Sequence, residues 1–145
     1  MQGLKRRIVY ITLYEGLAIV AASAGLAALS GQGLGHSGVL AAIASAIAVL
    51  WNLFFNLMFE RWERGQAVRG RGLRRRIAHA IGFEGGLAAI LVPVFAWWLG
   101  VSLWAALVMD FGLVIFFLVY TFAFNWAFDL LFGLPASAAG AARPA

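Results

Sequence analysis

Arg6-Arg7-Ile8-Val9-Tyr10-Ile11-Thr12-Leu13-Tyr14-Glu15-Gly16 is an apolar run with a carboxylate inside it, and the chain contains its like twice. Sixty-nine residues on, Arg75-Arg76-Ile77-Ala78-His79-Ala80-Ile81-Gly82-Phe83-Glu84-Gly85 keeps five of the eleven positions: Arg, Arg, Ile, Glu and Gly. The same shift lays residues 51–60 on 120–129 and pairs Phe55 with Phe124, Asn56 with Asn125, Phe59 with Phe128 and Glu60 with Asp129. Chance likeness between apolar helices would match leucines and alanines. These matches fall on Arg, Glu, Asn and acidic residues, so the chain reads as a duplication.

Each half holds two long apolar segments, at about 8–29, 39–59, 77–99 and 103–132, and each segment is long enough to span a bilayer as a helix. The chain of 145 residues is 63% hydrophobic and only 12% charged, where soluble domains are roughly a quarter charged. The expectation is an all-α integral membrane protein of four transmembrane helices, arranged as two tandem two-helix repeats (1–65 and 66–133) with a flexible tail at 134–145. That leaves no length for a soluble catalytic or nucleotide-binding domain. With no cysteine there is neither a disulfide framework nor a thiolate metal site. No metal-ligand cluster, cofactor-binding motif or nucleophile-base constellation is apparent, so no enzyme, metal or cofactor is expected.

The net charge of +5 is placed, not spread. Lys5, Arg6 and Arg7 precede the first span, and Arg61, Arg64, Arg69, Arg71, Arg74, Arg75 and Arg76 separate the second from the third; the other two loops carry no Lys or Arg. This is the positive-inside pattern, and it predicts both termini and the middle loop in the cytoplasm. The basic loop reads as an orientation signal and a lipid headgroup contact, with no nucleic acid as partner. A cleaved signal peptide is the rival reading of the N-terminus, from Lys5-Arg6-Arg7 and Ala22-Ser23-Ala24. Glu15 in the apolar core and the recurrence of the pattern in mid-chain oppose it. The glycine-rich stretch 30–38 is expected to be the external turn, with His36 solvated in it.

Both halves begin on the same side, so their pseudo-symmetry axis is expected along the membrane normal, as in parallel repeats. Glu15 then lies roughly 12 Å beyond Arg7 at about 1.5 Å per residue, well inside the hydrocarbon, with Glu84 at matching depth. Ionisable groups at that depth mark ion or substrate paths. A carboxyl that is neutral when protonated and anionic when not can take a proton and a cation in turn, the minimum chemistry of proton-coupled cation exchange. The other reading of Glu15 and Glu84 is a carboxyl that bonds a neighbouring helix and holds the bundle together. Asp110, about seven residues into the fourth span, is a third acid, with Ala41 at the corresponding place in the first half.

Tyr14 and Phe83 beside the acids, with Trp51, Phe55, Tyr120 and Phe124 on the partner helices, offer aromatic faces to a lipophilic cation, or else pack helices. Asn52, Asn56 and Glu60 share one helical stripe, and Thr121, Asn125 and Asp129 the corresponding one. The asparagines are expected to hold helices together or to touch substrate. Glu60 and Asp129, near the arginine-rich rim, are expected in helix-end ion pairs with Arg7 and Arg76. His79, at the position of Tyr10, is either a proton relay or a headgroup contact. Gly82 with Gly86, and Ala42 with Ala46, have the small-residue spacing that allows close helix approach, and Pro93 and Gly25 are candidate bends.

The stretches 7–16 and 76–85, followed by Trp51-Asn52-Leu53-Phe54-Phe55-Asn56-Leu57-Met58-Phe59-Glu60 and by 120–129, closely resemble the proteobacterial antimicrobial compound efflux family, built from two bacterial transmembrane pair domains. The resemblance covers nearly the whole chain. It implies proton-coupled export across the bacterial inner membrane of cationic biocides such as chlorhexidine, acriflavine or benzalkonium, with short diamines as natural substrates. The family's transport-critical acid of the first helix falls on Glu15 and its second-repeat acid on Glu84. Its asparagines and acids of helices two and four fall on Asn52, Asn56, Glu60, Asp110, Asn125 and Asp129. Tyr10 departs from the histidine common in the first motif, which weakens any mechanism needing two symmetric histidines. The rivals are a four-helix small multidrug transporter and a non-transporting assembly subunit. The one-sided loop charge argues for a single orientation, and hence for a parallel arrangement in any homodimer.

Overall fold

The structure is a computed structural model that describes residues 3–67 and 72–133. Among these the chain forms four α-helices and no strand: α1 (Gly3–Ser30), α2 (Leu34–Arg64), α3 (Leu73–Leu99) and α4 (Leu103–Phe132). Each is long and apolar enough to cross a membrane. Hydrocarbon leaves a spanning segment little choice but helix, because only internal hydrogen bonds satisfy its backbone there. All four expected spans are present.

Their ends differ from the apolar runs. α1 starts at Gly3, ahead of residue 8, and α2 runs from Leu34 to Arg64 where 39–59 was expected. Hydropathy marks the greasy stretch and not the helix, whose hydrogen bonds continue into polar ends that reach the headgroups. The expected external turn of nine residues therefore shrinks to Gly31, Gln32 and Gly33. Of the expected middle loop, Arg61 and Arg64 are helical, Arg74, Arg75 and Arg76 open α3, and Arg69, Gly70 and Arg71 lie outside the described residues, as does the tail from 134.

The two hairpin turns coincide under the sixty-nine-residue shift. α1 and α3 end at equivalent residues, followed by Gly31 and Gly100 in left-handed conformation, with φ of +74° and +66°. Such a residue stops a helix by turning its chain back on its last carbonyls, and glycine does this without a Cβ clash. Gly33 and Ser102 are the equivalent caps, and the Ser102 hydroxyl accepts from the Ala105 amide at 3.1 Å.

α1 contacts α2 and α4, and α3 contacts the same two, so the helices form a four-sided ring with α1 diagonal to α3. The buried core occupies the hairpin-turn end: Leu26 of α1, Leu40 of α2, Phe95 and Leu99 of α3, and Ala106 of α4 are at most 1% exposed. α1 and α2 approach closely at Ser23, where a Cβ built at Gly38 would lie 3.4 Å from the hydroxyl. Ala42 and Ala46 are exposed and are not that seam. Gly82 and Gly86 instead receive rings from α2: Phe55 lies 3.1 Å from a Cβ built at Gly82, and Trp51 covers Gly86. α3 continues through Pro93 as unbroken helix.

Candidate functional site

A cavity of about 840 Å³ lies between the four helices, and Glu15, Glu84 and Asp110 all line it. Its walls are otherwise mainly apolar, and no Lys, Arg or His lines it. Leu118 and Phe122 line it while 75% and 76% exposed, so the space also opens sideways between helices. The lining keeps the duplication: every lining position of α2 has its sixty-nine-residue partner on α4. Departures from symmetry are therefore informative. Ala41 is matched by Asp110, Ser45 by Val114 and Ala48 by Phe117.

The three acids differ in surroundings. Glu15 is half-buried and accepts from the Ser45 hydroxyl at 3.2 Å. Glu84, at the equivalent place on the diagonal helix, is exposed, and the position equivalent to Ser45 is Val114. Asp110 is 7% exposed, and no hydrogen bond or ion pair reaches its carboxyl among the described residues.

Two aromatic seams flank the cavity and hold the acid-bearing helices at matching register. Between α2 and α3 the Trp51 indole donates to the Phe83 carbonyl at 2.9 Å; between α4 and α1 the Tyr120 hydroxyl donates to the Tyr14 carbonyl at 2.8 Å. One turn nearer the termini, His79 Nε2 meets Asn56 Oδ1 at 2.9 Å and the Tyr10 hydroxyl donates to Asn125 Oδ1 at 2.7 Å. The Asn56 amide nitrogen is already committed to Asn52, to its backbone oxygen at 2.9 Å and Oδ1 at 2.8 Å. Its Oδ1 is thus an acceptor, which puts the proton of that contact on His79 Nε2.

These seams sort the expected site residues. Tyr14, Asn52 and the three acids reach the cavity; Trp51, Tyr120, Asn56, Asn125 and His79 do not line it. Trp51 and Tyr120 stand instead against the backbone of the residue before each glutamate. Tyr14 reaches Thr121 with its hydroxyl at 2.7 Å. The cation on Asp129 is Arg6, at 2.6 Å, and not Arg7. Successive helical residues point about 100° apart, so only one of two adjacent arginines faces α4; Arg6 also lies 4.9 Å over the Phe128 ring. Glu60 is exposed, and its backbone carbonyl accepts from Arg64 Nε at 3.3 Å.

Two contacts escaped the sequence reading. Ser45 carries the polar stripe of Asn52 two turns further, a spacing that would have found it. His36 is not merely solvated: its Nε2 lies 2.7 Å from the Trp98 carbonyl, the Trp98 indole donates to the His36 carbonyl at 3.0 Å, and the rings stack at 5.1 Å. Both hairpin turns lie at one end of the ring, which brings the start of α2 to the end of α3.

Two like hairpins ringing an acid-walled cavity, in helices of membrane-spanning length, define a small multi-pass membrane transporter. The chain belongs to the chlorhexidine efflux transporter family, which matches residues 2–65 and again 71–134. It is 39% identical over 127 residues to the short-chain diamines transporter of Acinetobacter baylyi, covering 88% of this chain and 89% of that one. It is 36% identical to the short-chain diamines transporter of Vibrio parahaemolyticus, over 85% of this chain and 87% of the relative. The protein of that name from Acinetobacter baumannii is likewise 36% identical, over 86% of each chain. No solved structure matches the chain significantly.

Proposed function

We propose that this chain exports small organic cations, short-chain diamines or cationic biocides, out of the bacterial cytoplasm across the inner membrane in exchange for protons. The observation that carries this reading is the sharing of one cavity, without a basic residue, by Glu15, Glu84 and Asp110. Carboxylates in such surroundings need cations or protons to stay there. Glu15 binds proton and cation in turn; Ser45 supports its anionic form, and Glu84 shares or supports the work from the diagonal helix. The apolar and aromatic walls suit the carbon chain of an amphiphilic cation. The two repeats, divided near residue 65, each supply half the cavity. The arginines around the middle connection support a reading with both termini in the cytoplasm and any homodimer parallel.

Reconstituted liposomes test the reading. A proton gradient is expected to drive acriflavine through the purified protein, and Glu15→Gln is expected to abolish the movement while the protein stays monodisperse and helical. Equal behaviour of wild type and variant would overturn the coupling role, and a wild type that moves no cation would leave the assembly-subunit reading standing.

A further inference from the structure

We propose that the cavity has two cation poles, and that Asp110 with Glu84 forms the second, which takes the far ammonium of a dication whose near ammonium sits on Glu15. The inference rests on the cation-export reading and adds what the two halves do differently. Beyond the equivalent pair Asn52 and Thr121, the polar lining residue of α2 in the first half is Ser45, which bonds Glu15; in the second, Val114 takes that place and the polar residue is Asp110. Asp110 replaces Ala41, one turn nearer the hairpin-turn end, about 6 Å along the helix. Pure duplication would have left the same residue in both halves.

Asp110 has no internal purpose to satisfy. A carboxyl on a cavity wall that no protein donor reaches is open to a cation there. Asp110 is more than nine-tenths buried, lines the cavity, and has neither hydrogen bond nor ion pair among the described residues. Glu84, on the other helix of the same hairpin, lines the same cavity. Two carboxyls on the wall of one cavity that no Lys, Arg or His lines form a place for one ammonium, whose three donors they can share. Glu15, on the helix diagonal to that of Glu84 and already supported by Ser45, is a separate pole. Mainly apolar wall joins the two, which suits methylene groups and offers nothing to a second charge elsewhere.

A monocation engages one pole and an α,ω-diamine both, so the discriminating quantity is an affinity ratio. Calorimetry on the purified full chain, with cadaverine and pentylamine at one pH, is expected to show cadaverine binding at least about tenfold tighter, the contribution of one charge-assisted hydrogen bond. Asp110→Asn, and Asp110→Ala which copies Ala41, are expected to bring the ratio below about threefold. Equal affinities in the wild type would overturn the proposal without any variant. So would a ratio unchanged in a variant that elutes as the wild type does. Failure of export is separately visible: cation movement in liposomes would be absent while the binding ratio persisted.

Discussion

Trp51 donates its indole hydrogen to the backbone carbonyl of Phe83, the residue before Glu84. Tyr120 does the same for Tyr14, the residue before Glu15, so each acid is held by a ring from the helix beside it. Tyr120→Phe keeps the ring and removes the donor, and Trp51→Phe removes the donor together with part of the indole's bulk. Each is expected to lower the rate of gradient-driven acriflavine movement several-fold without abolishing it, with Tyr120→Phe the more severe because it loosens the Glu15 helix. Transport rates in liposomes, at equal protein incorporation, check this.

Trp51 also explains a glycine. A Cβ at Gly86 would overlap the indole, whereas one at Gly85 would meet nothing within 4 Å. Gly86→Ala is expected to destabilise the protein by about 1–3 kcal/mol, the cost of overpacking a filled site. Gly85→Ala is expected to be neutral or slightly stabilising, since alanine favours helix. Thermal unfolding of both variants in the same detergent separates them; equal melting temperatures would refute the contact.

How much of this was legible in the residues depends on whether symmetry or packing decided it. The four spans and the pairing of Glu15 with Glu84 follow from composition and one repeated offset. Helix ends do not, because the hydrogen-bond ladder runs past the greasy stretch, as at Arg61 and Arg64. Which face of a helix meets which neighbour is not written in a nearly uniform apolar surface. Trp51 and Tyr120 therefore read either as cavity walls or as seam residues until the ring of helices is known. Arg6 and Arg7 differ only by rotation, and His36 finds Trp98 only once both turns are known to share one end.

The Ser45 hydroxyl donates to Glu15, and a hydrogen bond to a charged group is worth about 1.5–3 kcal/mol. Ser45→Ala removes it with little change of volume. Transport is expected to fall by up to about tenfold, with Ser45→Thr retaining most of it because the hydroxyl remains. A Ser45→Ala protein as active as wild type would show that Glu15 works without this donor.

His79 and Tyr10 occupy equivalent places and make equivalent bonds, to Asn56 and to Asn125. An imidazole and a phenol share little chemistry except a hydrogen to donate and a flat ring to pack. Model phenols titrate near 10 and imidazole near 6.5, so a phenol is a poor proton relay at neutral pH. The symmetric substitution therefore separates two roles. If His79 serves as a donor that ties α3 to α2, His79→Tyr is expected to keep transport within about threefold, while His79→Phe, which keeps a ring but loses the donor, lowers thermal stability by about 0.5–1.5 kcal/mol. If His79 relays protons, His79→Tyr stops gradient-driven movement and spares stability. The first outcome is expected, because His79 bonds an amide in the seam and does not line the cavity that holds Glu84.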